Sequence, residues 1–151
     1  YYPGDLSHQK WIVPIAAKYC DVISFNRYRF SPNDLKPHNS SIDKPILIGE
    51  FHFGALDRGM LHTGLRSVQD QQQREKAYFE YIKAALENPY LVGAHWFQYG
   101  EQAVTGRGDG ENYQIGFLDV CDNPYQETID GCREIGYQMY EVRIKSNEKH
   151  L

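Results

Sequence analysis

Residues Pro45–Gly54, PILIGEFHFG, run from an apolar stretch into a glutamate and then through aromatic, histidine, aromatic and glycine. Ile46, Leu47 and Ile48 spell a buried strand, and Pro45 is tolerated because it stands at the first position. Ending such a strand on Glu50 is costly unless the carboxylate faces something other than packed interior. In a regular strand residues two apart share a face, so Ile46, Ile48, Glu50 and His52 are expected on one side and Leu47, Gly49, Phe51 and Phe53 on the other. Glu50 would then stand near the carboxyl end of the strand and face a mouth, as a catalytic carboxylate must. A buried ion pair, or an edge glutamate in water, would satisfy the same spacing.

Working outward, Leu6 to Tyr19 suggests a helix, because Trp11, Ile15 and Tyr19 recur every four residues, with Pro14 as a kink or a delayed start. DVISFN (21–26) is a short strand that empties into a Pro-, Asn- and Ser-rich loop reaching Lys44. After the quoted strand comes FGALDRGMLHTGLRS, a connection with three glycines and no period, of the kind that carries function. Gln71 to Leu86 is an amphipathic helix with Tyr78, Tyr81, Ile82 and Ala85 on its stripe, stopped by Asn88 and Pro89. LVGAHWFQY (91–99) is a third strand, followed by the glycine-rich loop GEQAVTGRGDGENYQIG and a brief extended piece, FLDV. The last helix is expected to take Asn123 as cap and Pro124 in its first turn, with Tyr125, Ile129, Cys132, Met139 and Tyr140 on one stripe. KSNEKHL, residues 145–151, is expected as a polar tail after a domain over residues 1–144. Apolar strands alternating with helices predict an α/β fold with a parallel sheet and function at the strand carboxyl ends.

Composition narrows the function. The formal charge of −4 is modest and the 16 Lys and Arg are dispersed, so neither nucleic acid nor an anionic membrane is an expected partner. No eighteen-residue apolar run and no leader of basic, apolar and small residues is present, which suits a soluble chain. Cys20, Cys121 and Cys132 are odd in number and widely spaced, which indicates neither a disulfide framework nor a structural zinc site. The chain opens at Tyr1 without an initiator methionine, as a mature secreted protein or the tail of a longer one would.

Further candidates gather at the strand ends. His52 shares the face of Glu50 and could orient a partner, or be a structural histidine with both nitrogens satisfied. With His62 in a loop, it falls short of a three-ligand metal set, so no metal and no cofactor are expected. Trp96 could be a platform for the apolar face of a sugar ring or a core side chain, and Gln98 would share its face and hydrogen-bond hydroxyls. Asn26 and Tyr28 suit hydrogen bonds to a carboxylate or a sugar, while Arg27 and Arg29 could be solvated loop residues. TGRGDGEN lacks the GK[ST] of a phosphate loop and opens no helix, leaving Asp109 and Glu111 as hinge or rim residues.

KPILIGEFHFGALDRGMLHTGL, NPYLVGAHWFQYGEQAVTGRGDGENYQIGFLDV and AAKYCDVISFNRYR resemble the carboxyl-terminal part of the catalytic domain of the β-agarases of the fiftieth glycoside hydrolase family. The resemblance runs from about Trp11 to Arg143. It implies the clan of retaining hydrolases built on an eight-stranded (β/α) barrel, with this chain supplying about strands six to eight of an incomplete barrel. Glu50 then matches the nucleophile at the end of strand seven, Trp96 the tryptophan under the ring being cleaved, and Tyr28 a tyrosine that contacts the nucleophile. The implied reaction is double displacement on β-1,4 links of agarose or neoagaro-oligosaccharides, through a glycosyl-enzyme at Glu50. Tyr28 or His52 would supply donors that favour the charged carboxylate.

One departure from the family matters. Retention needs a second carboxylate about 5 to 5.5 Å from the first, and in this clan it follows an asparagine at the end of strand four. No Asn-Glu pair precedes Glu50, and Asn147-Glu148 falls in the expected tail. The chain is therefore expected to be a fragment, inactive and poorly folded alone, of a bacterial enzyme that is secreted or periplasmic. A non-catalytic carbohydrate-binding remnant and a β-galactosidase-like glycosidase are the competing functions.

Overall fold

The computed structural model describes residues 11–37 and 42–148. Six elements follow in order: helix α1 (Ile12–Tyr19), strand β1 (Ile23–Asn26), strand β2 (Ile46–Phe51), helix α2 (Gln71–Glu87), strand β3 (Leu91–Trp96) and helix α3 (Gln126–Glu148). The strands form one parallel sheet in the order β1-β2-β3. This is a mixed α/β fold with a small parallel sheet, as the alternation of apolar strands and helices predicts.

Pro14 sits in the first turn of α1, where its missing N–H has no intrahelical partner to lose. The Leu6–Lys10 part of the expected helix lies outside the described residues. The helix turns a different face inward from the one its four-residue period suggests. Val13 is buried and Ile12, Ala16 and Ala17 pack on the core, while Trp11, Ile15 and Tyr19 are exposed.

Helix α2 begins at an aspartate cap, the Asp70 side chain accepting the Gln73 N–H at 2.8 Å. It ends at Asn88, whose side chain donates to the Leu35 carbonyl at 2.8 Å and so ties the β1–β2 connection to the helix end. Tyr78, Tyr81, Ala84 and Ala85 are buried, and the Tyr81 ring stacks on Phe51 with centroids 4.1 Å apart. Full burial of a side chain such as Phe51 contributes about 1.5–3 kcal/mol. The core on this side of the sheet gathers Ile23, Phe25, Ile46, Ile48, Phe51 and Leu91 from the strands with Val13, Tyr78, Tyr81 and Ile135 from the helices.

Helix α3 lies alongside α2 and runs in the same direction. Gly131 meets Glu75 near the start, and the Ser146 hydroxyl donates to the Glu87 carbonyl at 2.9 Å near the end. Arg143 completes the junction by donating to the carbonyls of Leu86, Asn88 and Leu91. Two expectations change here. Asn123 and Pro124 do not start this helix: Asn123 closes a turn on Asp119, Pro124 bridges Leu118, and the helix begins at Gln126. The polar segment from Lys145 continues the helix through Glu148 with Ser146 buried, because its hydroxyl has a carbonyl to reach; residues 149–151 lie outside the described residues. Among the described residues, no helix is long and apolar enough to cross a membrane.

Candidate active site at the strand ends

The quoted stretch does not alternate as a regular strand would. Ile23 pairs with Ile46, Ser24 with Leu47 and Phe25 with Ile48, but Asn26 then pairs with Glu50, so the register slips by one residue at Gly49. Paired residues share a face of the sheet, and Ser24 and Asn26 oppose Ile23 and Phe25. Glu50 therefore lies on the side of Ser24, Asn26 and Leu47, away from Ile46 and Ile48. The expected grouping of Glu50 with Ile46 and Ile48 is corrected by this bulge. Its benefit is plain: Ile46, Ile48 and Phe51 all reach the core, and the carboxylate leaves it. Gly49 permits the crowding, since a Cβ there would stand 2.7 Å from Ser24 Oγ and 2.9 Å from Asn26 Oδ1.

The structure brings Glu50 and Tyr28 together. The Tyr28 hydroxyl donates to Glu50 Oε2 at 2.5 Å, and the Arg27 amide donates to the Glu50 carbonyl at 2.8 Å. Both side chains are half-buried. Asn26, the cross-strand partner of Glu50, is buried, and its Nδ2 makes no hydrogen bond among the described residues. Arg27 is buried too, paired with Asp34, while Tyr81 donates to its carbonyl at 2.8 Å. The arginine that sequence alone allows as a solvated loop residue thus anchors the start of the β1–β2 connection.

His52 follows Glu50 on the mouth side but offers no free nitrogen to a ligand. The Leu65 amide donates to Nε2 at 2.8 Å, so the proton of the neutral ring is on Nδ1, which faces the Phe97 carbonyl at 3.2 Å. Burial pushes its pKa down to about 4, with nearby Arg74 and Arg66 in the same direction and the Phe97 carbonyl opposing. Its ring lies 4.6 Å from that of Tyr28. Both ring nitrogens thus face backbone groups, and neither is left to touch a sugar.

Trp96 is corrected more strongly. It pairs with Phe51, so it shares the core face of that residue. Its indole packs among Phe51, Tyr78 and Phe117 with centroids 5.2, 5.3 and 5.6 Å away, and its N–H donates to the Ile115 carbonyl at 2.7 Å. A ring so walled in is core, and the aromatic side chain turned toward the mouth is its neighbour Phe97, 6.3 Å from His52 and covered by the Arg107 guanidinium at 5.5 Å. Sequence reasoning missed Phe97. Adjacent strand residues face opposite ways, so only one of the two aromatics could serve, but slips in the β2–β3 register decide which. The strand ends at Trp96, so half-buried Gln98 lies in the loop beyond it and does not share a strand face with Trp96.

Beneath the mouth a buried polar network joins the two long loops, and sequence reasoning missed this as well. Arg74, fully buried, donates to the carbonyls of Phe53 (2.9 Å) and Gly116 (2.6 Å) and to the Gln71 side chain (3.2 Å). Its guanidinium lies between the Trp96 and Tyr125 rings, at 5.5 and 5.1 Å. Burial pushes its pKa down to about 10, opposed first by Glu101. Glu101 accepts the amides of Ile115 and Gly116 at 2.6 and 3.1 Å, and Gln114 takes the Ala55 amide at 2.9 Å. The signal in the sequence was an arginine at the spacing of the apolar stripe, three and seven residues from Gln71 and Tyr81 on the face that carries Tyr78.

At the rim, exposed Arg107 holds Asp109 in a bidentate pair and reaches Glu111 at 2.8 Å, which keeps the Asp109 carboxyl down to about 2. His62 stacks on Tyr113 at 4.9 Å and accepts the Gly64 amide. Among the described residues no three His, Cys, Asp or Glu stand together to hold a metal ion.

No protein-family model matches the chain. Among curated proteins it is 43% identical over 133 residues to β-agarase B of Vibrio sp. (strain JT0107), covering 86% of this chain and 14% of that protein. It is 40% identical over 142 residues to β-agarase A of the same strain, covering 89% and 14%. A solved exo-β-agarase superposes with a TM-score of 0.82 at 46% identity, over 87% of this chain and 18% of that one. The chain thus spans about a seventh of the length of the curated relatives it matches.

Proposed function

We propose, from the kinship of this chain over most of its length with the β-agarases of the fiftieth glycoside hydrolase family, that it forms the nucleophile-bearing part of a retaining agarase. In this reading β1, β2 and β3 are strands six to eight of a (β/α)8 barrel. Three observations support that placement. The strands are parallel, the helices cover one face, and β3 is a bare edge with Val92 exposed beside an apolar groove of about 740 Å³ between β3 and α3. Parallel sheets are normally covered on both faces, so elements from elsewhere in a longer protein would complete this one. The catalytic unit then takes in residues 1–144 and, as α3 continues unbroken, the helix beyond them.

Glu50 is the nucleophile. Its carboxylate attacks the anomeric carbon of a galactose residue, the bond to the leaving oxygen breaks, and a glycosyl-enzyme forms. The proton for the leaving oxygen comes from a second carboxylate in the part of the longer relatives that this chain does not span. Water, deprotonated by the same group, then displaces Glu50 and restores the starting configuration. Tyr28 holds Oε2, leaving the other oxygen to attack. Asn26, Phe97 and Gln98 border the space where the sugar lies, and Trp96 supports it from behind. The substrate is agarose or a neoagaro-oligosaccharide; the size of polymeric agarose favours a whole protein that is secreted or periplasmic, and this chain alone does not hydrolyse it.

The observation that carries this reading is the bulge at Gly49, which swings Glu50 out of the core onto the Tyr28 hydroxyl. In the full-length protein, Glu50→Gly should abolish hydrolysis, and added azide should restore turnover of an activated β-galactoside with an α-galactosyl azide as product. A variant that still hydrolyses, or an azide adduct of β configuration, would sink the assignment.

A further inference from the structure

His52 stands where three connections meet. From the β1–β2 connection comes Tyr28, ring centroid at 4.6 Å; from the β2–α2 loop comes the Leu65 amide on Nε2 at 2.8 Å; from the β3–α3 loop come the Phe97 carbonyl facing Nδ1 at 3.2 Å and the Tyr113 ring at 5.9 Å. The imidazole is 1% exposed, so neither nitrogen has water as a substitute partner. Both loops must therefore keep their backbone against the ring. The β2–α2 loop is built for this approach. Gly64 has φ +74°, and a Cβ on it would lie 2.5 Å from His52 Nε2.

The face that His52 presents to Tyr28 is the only contact among those named that leads on to the carboxylate, because the Tyr28 hydroxyl donates to Glu50 Oε2 at 2.5 Å. An imidazole pinned at both nitrogens cannot turn, so it gives the Tyr28 ring a fixed wall on that side. We propose that His52 is a positioning residue, which acts through Tyr28 to hold the Glu50 carboxylate in line for attack and touches no substrate itself. The inference rests on the reading of Glu50 as nucleophile and names the partner that His52 orients, the Tyr28 ring.

The test is a double-mutant cycle in the full-length protein with a neoagaro-oligosaccharide as substrate. His52→Ala should lower kcat by about 100-fold, the scale set by an ångström of misplacement, with KM changed by less than about threefold. In a Tyr28→Phe background, where the hydroxyl is already gone, the same change should cost less than about threefold, since the path it acts through has been cut. Equal losses in both backgrounds, or a loss confined to KM, overturn the proposal. Where His52→Ala does not fold by circular dichroism, His52→Asn, whose amide keeps a donor near the Phe97 carbonyl, takes its place in the cycle and is judged by the same inequality. Glu50→Gln is measured beside it. Retained turnover there refutes the nucleophile whatever the cycle gives, whereas an inactive Glu50→Gln with an additive cycle refutes only the role of His52.

Discussion

The mouth around Glu50 and the outer side of β3 are built to opposite standards. At the mouth Arg74, Gln71, Gln114 and His52 are each almost fully buried, and each has named partners in the loops that follow β2 and β3. On the outer side, β3 shows Val92 62% exposed, and α3 shows Tyr137 and Tyr140 88% and 78% exposed. A protein does not normally leave large apolar groups and a strand edge uncovered beside so well satisfied a polar network. The loops after β2 and β3 satisfy their buried polar groups, while the β3 edge stays open.

The mouth should break first when its buried charge is removed. Arg74→Ala leaves the carbonyls of Phe53 and Gly116 without donors and opens the space between Trp96 and Tyr125, so the full-length protein should lose about 3–5 kcal/mol of stability in chemical unfolding. A loss under about 1 kcal/mol would mean that the network is not what joins the two loops.

A smaller effect comes from His52 and has a definite sign. Its folded pKa of about 4 lies below the ordinary 6.5, so between those values the unfolded chain binds a proton that the folded one does not. Stability contributed by the neutral imidazole is whole above about pH 6.5 and declines as pH falls toward 4, by at most about 3 kcal/mol. The difference in unfolding free energy between the parent and His52→Asn, followed from pH 7 to 4, should carry that slope. A flat difference would place the imidazole in water.

The outer side should respond least, and in opposite directions in two settings. Val92→Lys should reduce self-association of the 151-residue chain in sedimentation, because it places a charge on an exposed edge. In the full-length protein the same change should cost about 1–3 kcal/mol if a further element covers that strand. Equal stability with and without the lysine would leave the groove as open surface.

Much of this contrast was legible in the sequence. DVISFN and PILIGE gave their strands, and the spacing of Tyr78, Tyr81 and Ala85 gave α2 its buried face, because apolar periodicity reports burial directly. What escaped was set by register. The slip at Gly49 depends on Asn26 crossing to Glu50, a partner 24 positions away in the chain, so alternation counted along β2 alone put Glu50 on the wrong face. Slips between β2 and β3 likewise set Trp96 beside Phe51, which the sequence left open between platform and core. The Trp11, Ile15 and Tyr19 stripe gave the right helix and the wrong side of it, since Val13 and the alanines fit closer to β1 than the larger side chains do. Ser146 looked like tail because its buried hydroxyl is satisfied only by a carbonyl on another helix.

The bulge at Gly49 delivers Glu50 as a nucleophile, which covalent trapping would reveal. The full-length protein would be incubated with a 2-fluoro-β-galactoside bearing a good leaving group, then digested and mapped by mass spectrometry. One fluoroglycosyl adduct is expected, on the carboxylate of Glu50 in the peptide that contains PILIGEFHFG. An adduct on any other carboxylate, with Glu50 unmodified, would contradict it.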